Sequence, residues 1–168
     1  MAHAFSRPDA LSTVQSAAKD RQFYHAVSGT YYELTEHDGR YYQRRWQKGF
    51  KGNPENIEEL TIDYIMGSGN HVRTYLHREQ DGTLIELPLA WYSEDGGHWG
   101  MNPGFDNPRP MTRRTIAYEC MFCHNAYPQI PPTAHRDFAA NPVFGQTLPE
   151  GIDCQRCHGP GAAHVKAA

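Results

Sequence analysis

The five-residue pattern Cys-x-x-Cys-His occurs twice in this chain, at Cys120–His124 and at Cys154–His158. Two thiols at this spacing can each form a thioether with one vinyl group of a haem, and the histidine that follows then reaches the iron from one face. All 4 cysteines of the chain lie in these two attachment segments. The pattern therefore predicts two covalently bound haem c (heme c) groups. The predicted attachment residues are Cys120, Cys123, Cys154 and Cys157, and the predicted proximal iron ligands are His124 and His158.

Two other classes of protein also use Cys-x-x-Cys. A zinc ribbon has two such knuckles, usually about 15–20 residues apart, and a thioredoxin-like protein has one. Here 30 residues separate Cys123 from Cys154. Neither class requires a histidine directly after the second cysteine. Haem attachment is therefore the leading interpretation, and a zinc-binding structural module remains open as a lesser alternative.

Charge and hydropathy argue against two kinds of partner. The 168 residues carry a formal net charge of -3 with dispersed Arg and Lys, so nothing indicates a nucleic-acid partner. No apolar run approaches the ~20 residues of a membrane-spanning helix. Because haem is attached covalently outside the cytoplasm, we expect a periplasmic or otherwise exported protein. Residues 1–8 lack an export signal. Either the signal has been removed, or the start is misassigned, or the chain is a fragment of a longer exported protein, which is the alternative that we favour.

Turn signals and strand patterns predict an α+β fold. Residues 24–92 read as an antiparallel β meander, with hairpin turns at Asp38-Gly39 and Asp81-Gly82 and a bulge or edge at Pro88. Residues 112–168 read as a loop-rich haem-binding segment with short helices. We expect residues 1–23 to be an N-terminal segment and residues 24–168 to form one multihaem domain.

Three local predictions refine this outline. Residues 60–66 alternate between apolar and polar side chains and predict one strand. Residues 95–104 are rich in Gly and Pro and predict a loop. Residues 112–120 predict a helix that leads into the first attachment segment.

The reactivity of each iron depends on its second axial ligand. His164 follows His158 across a Gly-Pro-Gly turn that can aim it at a neighbouring haem, and His71 follows small residues at 67–70 that permit close approach of a porphyrin. We predict both histidines to be distal ligands. His98 and Met101 are weaker candidates.

The segment Gly151–His164 resembles the haem segments of the cytochrome c-552/c-554 class of multihaem proteins. Gly67–His71 and Cys120–Asn125 are similar to segments of bacterial exported multihaem proteins. In those proteins the haem module often precedes tetratricopeptide repeats. The resemblance covers about residues 24–166. It implies that the later histidine, His164, ligates another haem, and that further haem or repeat domains are fused to this chain.

One departure from that class concerns the N-terminus. Its members typically carry a further Cys-x-x-Cys-His upstream, and this chain has none, although Met1–Phe5 resembles the segment that follows it. The resemblance then implies that His3 is a distal ligand and that a third haem has its attachment site upstream of this chain.

Electron transfer between redox partner proteins is the function that these expectations favour. An oxidoreductase with one open haem, acting on small nitrogen or sulfur compounds, is the alternative. Such a site would recruit proton donors and cations, for which the sequence offers Arg73, Tyr75, His135 and Arg136.

Overall fold

The computed structural model describes residues 4–8, 22–107, 113–126, 128–130, 141–159, 161 and 166–167. Strands dominate these ranges. In chain order they are β1 Phe5–Ser6, β2 Gln22–His25, β3 Thr30–His37, β4 Arg40–Lys48, β5 Pro54–Thr61, β6 Tyr64–Met66, β7 Val72–Arg78, β8 Leu84–Tyr92, β9 His98–Met101 and β10 Arg114–Thr115. The first predicted attachment segment lies within the short helix α1 Tyr118–His124, and the second consists of Cys154, the N-cap residue, and the short helix α2 Gln155–His158.

The strands form two antiparallel sheets. The first sheet has the order β1-β6-β7-β8-β10, and β9 pairs with β8 beyond the end of β10. The second sheet has the order β2-β3-β4-β5. Asp38 and Gly39 adopt φ values of 54° and 67° between β3 and β4, as a two-residue hairpin turn requires. The hairpins predicted at Asp38-Gly39 and Asp81-Gly82 are both present.

The chain crosses from one sheet to the other at Ile62 and Asp63. The Ile62 amide donates to the carbonyl of Tyr41 in the second sheet (2.8 Å), and the Asp63 amide donates to the carbonyl of Leu76 in the first (2.8 Å). The single strand predicted over residues 60–66 is therefore wrong. The alternating apolar residues do not share one face: Leu60 and Ile62 pack in the core between the sheets, whereas Tyr64 belongs to the cluster on the other face of the first sheet.

The first sheet is the middle layer of the molecule. One core cluster lies between the two sheets and joins Leu34 of β3 to Tyr75, Ile85 and Leu87 of the first sheet. A second cluster covers the other face of the first sheet. It consists of Phe5, Tyr64, Leu76, Leu84, Ile116, Met121, Phe144 and Leu148. Leu84 through Trp91 are all buried for this reason.

The expected α+β class is wrong, because strands make up 45% of the structure and helices 12%. The protein is mostly β, and it has two sheets where one meander over residues 24–92 was predicted. Two sheet-forming segments lie beyond residue 92. The loop predicted at 95–104 contains β9, in which Trp99 packs edge-on against Trp91 at 4.9 Å. The helix predicted at 112–120 begins only at Tyr118, because β10 precedes it.

Pro88 lies in the middle of β8, where the pairing with β7 is irregular between Thr74 and Leu76. Buried Asn102 provides hydrogen-bond donors for the carbonyl groups of this irregular stretch. Its Nδ2 donates to the carbonyl of Leu87 (2.8 Å), and its backbone amide donates to the carbonyl of Pro88 (2.8 Å). The bulge that Pro88 predicted is present, since proline cannot donate to a regular ladder.

Gln43 joins the two sheets by hydrogen bonds. Its side chain is 4% exposed. Its Nε2 donates to the carbonyl of Leu89 at 3.1 Å, and its Oε1 accepts from the Leu89 amide at 3.0 Å. One glutamine of the second sheet thus satisfies both backbone groups of a residue in the first.

Replacing Gln43 with Leu is expected to lower the free energy of unfolding by roughly 2–4 kcal/mol, because both backbone groups of Leu89 lose their partner in a buried position. Urea unfolding followed by far-UV circular dichroism measures the change. The matched control is Gln22→Leu, whose exposed amide contacts Glu33 at 3.3 Å and whose loss should cost below about 0.5 kcal/mol. Equal losses in the two variants would show that Gln43 contributes nothing specific to the sheet interface.

Candidate haem-attachment site

The first attachment segment is held against the first sheet by the residues that precede it. Arg114 and Thr115 of β10 pair with Glu86 and Ile85 of β8, and the Ile116 amide donates to the carbonyl of Leu84 at 2.8 Å. Helix α1 begins two residues later. Its Met121 is 1% exposed and belongs to the second core cluster. One side of α1 is therefore anchored by protein contacts alone.

The donor groups of this segment share one side of α1. Cys120, Cys123 and His124 have the spacing i, i+3 and i+4, which brings side chains together on one face of a helix. Cys120 is half-buried against the second core cluster, and Cys123 is exposed. His124 is half-buried, and this burial lowers the pKa of its imidazole. The neutral imidazole, which is the form that ligates a metal, is thus favoured.

The second attachment segment lies beside β1. The Gly151 amide donates to the carbonyl of Phe5 at 2.7 Å, and Cys154 follows three residues later. The His158 amide donates to the carbonyl of Cys154 at 3.0 Å, which closes one helical turn. Cys154, Cys157 and His158 are exposed. This segment therefore has the same local geometry as the first, with less burial.

Two polar contacts join the first attachment segment to the chain that leads into the second. The Tyr118 hydroxyl donates to the carbonyl of Val143 and accepts from the Val143 amide, both at 3.0 Å. Asn125, directly after His124, is fully buried and donates from Nδ2 to the carbonyl of Pro149. Neither Tyr118 nor Asn125 is part of the Cys-x-x-Cys-His pattern, and no sequence signal identified them.

The residues present match the requirements of covalently bound haem. Each segment offers two thiols and one imidazole within one or two helical turns, and all 4 cysteines are free. A zinc ribbon instead requires the four thiolates around a single ion. Among the residues that the structure describes, no group of three or more His, Cys, Asp or Glu side chains is placed to hold a metal ion.

The predicted distal ligands fall in different places. His71 is exposed in the loop between β6 and β7, and its carbonyl accepts from the Ser93 amide at 2.9 Å. The glycines before it serve the loop itself, because a Cβ on Gly67 would lie 2.3 Å from the Val72 carbonyl oxygen. His3 and His164 lie outside the described residues. His98 begins β9 and stacks on Tyr92 at 5.5 Å.

The residues considered for an open haem are not brought together by the described part of the fold. Tyr75 is fully buried in the core between the two sheets, whereas Cys120 packs on the opposite face of the first sheet. Arg73 lies against Gly69. His135 and Arg136 are outside the described residues. Tyr75 therefore cannot serve as a proton donor at the first attachment segment in this conformation.

Comparisons with known proteins add no relative to these observations. No protein-family model matches the chain, no curated protein matches it, and no solved structure matches it. Within the described residues, no helix is both long enough and apolar enough to span a membrane.

Proposed function

We propose that this protein is a c-type multihaem cytochrome that transfers electrons between redox partner proteins in an exported compartment. The observation that carries the proposal is the double Cys-x-x-Cys-His, each copy on a short helix with free thiols. The five residues of each copy supply both thiols for thioether attachment and one axial imidazole.

Each residue of the segments has a distinct part in this function. Cys120 and Cys123 hold one haem, Cys154 and Cys157 hold the other, and His124 and His158 supply the proximal imidazoles. A bound haem supplies one-electron chemistry whose potential depends on its axial ligands and its burial. Because the first segment packs on the core and the second is exposed, the two sites differ in their access to solvent. We expect two distinct reduction potentials.

Expression with a periplasmic cytochrome c maturation system tests the proposal. The purified protein is expected to have the mass of the chain plus two haems and, when reduced, a sharp α-band without a high-spin band, as six-coordinate iron gives. A persistent high-spin band would instead support the oxidoreductase with an open haem. A colourless, folded protein that carries zinc would overturn the haem assignment.

A further inference from the structure

A cavity of about 540 Å³ lies where the two sheets meet, at the end that carries the β3–β4 turn. Its walls come from that turn, from the crossing between β5 and β6, from the end of β7 and from the residues after β1. The attachment segments do not line it. Within the described ranges, the charged side chains in the lining are Arg7, Arg40, Arg78 and Asp63.

Among the residues that the structure describes, Asp63 is the one carboxylate of the lining, and it is already engaged. Asp63 Oδ2 accepts from the Arg78 amide at 2.7 Å and from the Thr61 hydroxyl at 3.1 Å, and it lies 3.2 Å from His77 Nδ1. Burial by itself raises the pKa of Asp63, but these hydrogen bonds outweigh it and hold the pKa below the ordinary value. Burial lowers the pKa of His77, yet Asp63 raises it overall. Asp63 is therefore held by the Arg78 amide, Thr61 and His77, and it forms no ion pair with an arginine among the described residues.

The guanidinium of Arg78 is fixed in place but incompletely satisfied. Its Nη2 donates to the carbonyl of Phe144 at 2.8 Å, and its Nη1 is buried without a hydrogen-bond partner in the described part of the chain. A neutral carbonyl does not compensate the positive charge. Arg78 thus adds positive charge beside the cavity, although its Nη1 is buried and its Nη2 is engaged by Phe144.

The other two arginines are available to a ligand. Arg40 is exposed and forms no ion pair with any residue that the structure describes. Arg7 lies 3.8 Å from Glu150, and both side chains are more than half exposed, at 63% and 56%. An exposed pair at this distance contributes little and is easily exchanged for a better partner.

We propose that this cavity is a binding site for a small organic anion that carries at least two phosphate or carboxylate groups. The exposed guanidiniums of Arg7 and Arg40, which come from separate elements, match such a ligand, because arginine binds carboxylate and phosphate oxygens through paired N–H donors. The volume falls within the ~300–1,000 Å³ of small-molecule sites. Tyr41, Ile62 and Tyr64 add apolar wall for the carbon skeleton. The site is independent of the haem-attachment segments and of the proposed electron transfer.

Isothermal titration calorimetry on the haem-loaded full chain tests the site. Citrate is the probe for carboxylates and pyrophosphate is the probe for phosphates, each compared with sodium chloride at equal ionic strength. Saturable binding at one site by either probe is expected, and the probe that binds more tightly identifies the class of anion. If the titration heats of both probes matched those of sodium chloride and showed no saturation, the proposal would be overturned.

Arg40→Gln is expected to weaken binding about tenfold, the effect of losing one charged hydrogen-bonding partner. Lys51→Gln is the matched control, since it removes the same charge from an exposed turn outside the cavity and should leave the dissociation constant unchanged. Arg7→Gln provides a second test, since Arg7 follows β1 whereas Arg40 begins β4. Equal affinities in Arg40→Gln, Arg7→Gln and Lys51→Gln would overturn the site, provided that circular dichroism shows all three folded.

Discussion

The double substitution of Cys120 and Cys123 with Ala is expected to remove one of two covalent haems and to leave the other attached. The intact mass should fall by one haem, and the reduced α-band absorbance per chain should fall by about half. Without thioethers, only the axial bond through His124 would hold the first haem, and that bond does not survive denaturation. Mass spectrometry under denaturing conditions therefore gives the measurement directly.

Two further variants make this result interpretable. The reciprocal substitution of Cys154 and Cys157 should also leave one haem, now attached to the peptide that contains Cys120–His124. Phe122→Ala changes an exposed residue between the two cysteines of α1, 57% accessible, and should retain both haems. If the chain without Cys120 and Cys123 still carried two covalent haems, the assignment of the first attachment segment would be wrong.

Arg114→Ala is expected to lower the free energy of unfolding at pH 7 by roughly 3–5 kcal/mol, the cost of leaving a buried charge without its partner. Arg114 Nη1 lies 2.6 Å from Glu86 Oε2, and the Glu86 side chain is only 8% exposed. The two residues are cross-strand partners that join β10 to β8. Urea unfolding followed by circular dichroism measures the loss.

The pH dependence gives this prediction a second readout. Burial raises the pKa of Glu86 above the ordinary value of 4.5, against the opposing effect of Arg114. The folded state therefore binds the proton more tightly than the unfolded state, and stability falls as the pH rises from about 4.5 through the raised pKa. In Arg114→Ala the pKa of Glu86 should rise further, because the nearby positive charge is gone. Lowering the pH from 7 to about 5 should then protonate part of Glu86 and restore part of the lost stability.

Controls for the ion pair lie in the same stretch of chain. Arg113, the preceding residue, pairs with Glu58 and Glu79 and is 50% exposed, so Arg113→Ala should cost below about 1 kcal/mol. Adding Glu86→Gln to Arg114→Ala should recover stability and abolish the rescue by acid. If Arg113→Ala lowered the free energy of unfolding as much as Arg114→Ala, burial of Glu86 would not be the cause of the loss.

Local signals in the sequence determined the parts of the fold that were predicted correctly. Asp38-Gly39 specifies a hairpin because both residues must adopt positive φ. Pro88 predicted the bulge because proline lacks a backbone N–H, which is a property of that residue alone and does not depend on distant partners.

The errors arose where distant partners decide the structure. Ile62 and Asp63 leave one sheet and join the other because Tyr41 and Leu76 supply the hydrogen bonds, and neither partner is near in sequence. Trp99 forms a strand within a Gly-rich segment because Trp91 covers it. Contacts such as Tyr118 with Val143, or Glu86 with Arg114, depend on the same long-range packing and leave no local pattern.

The two sides of α1 have a consequence for the biogenesis of the protein. Met121 is buried by the polypeptide, and the backbone at Ile116 is bonded to β8, so contacts with the sheet help to set the position of this helix. A maturation enzyme would meet Cys120 and Cys123 already at the correct spacing on a folded surface. Helix α2 has only one turn and exposed thiols. We therefore expect ligation at the two segments to proceed at different rates, with the scaffold folding first and the segment at Cys154 remaining accessible longest.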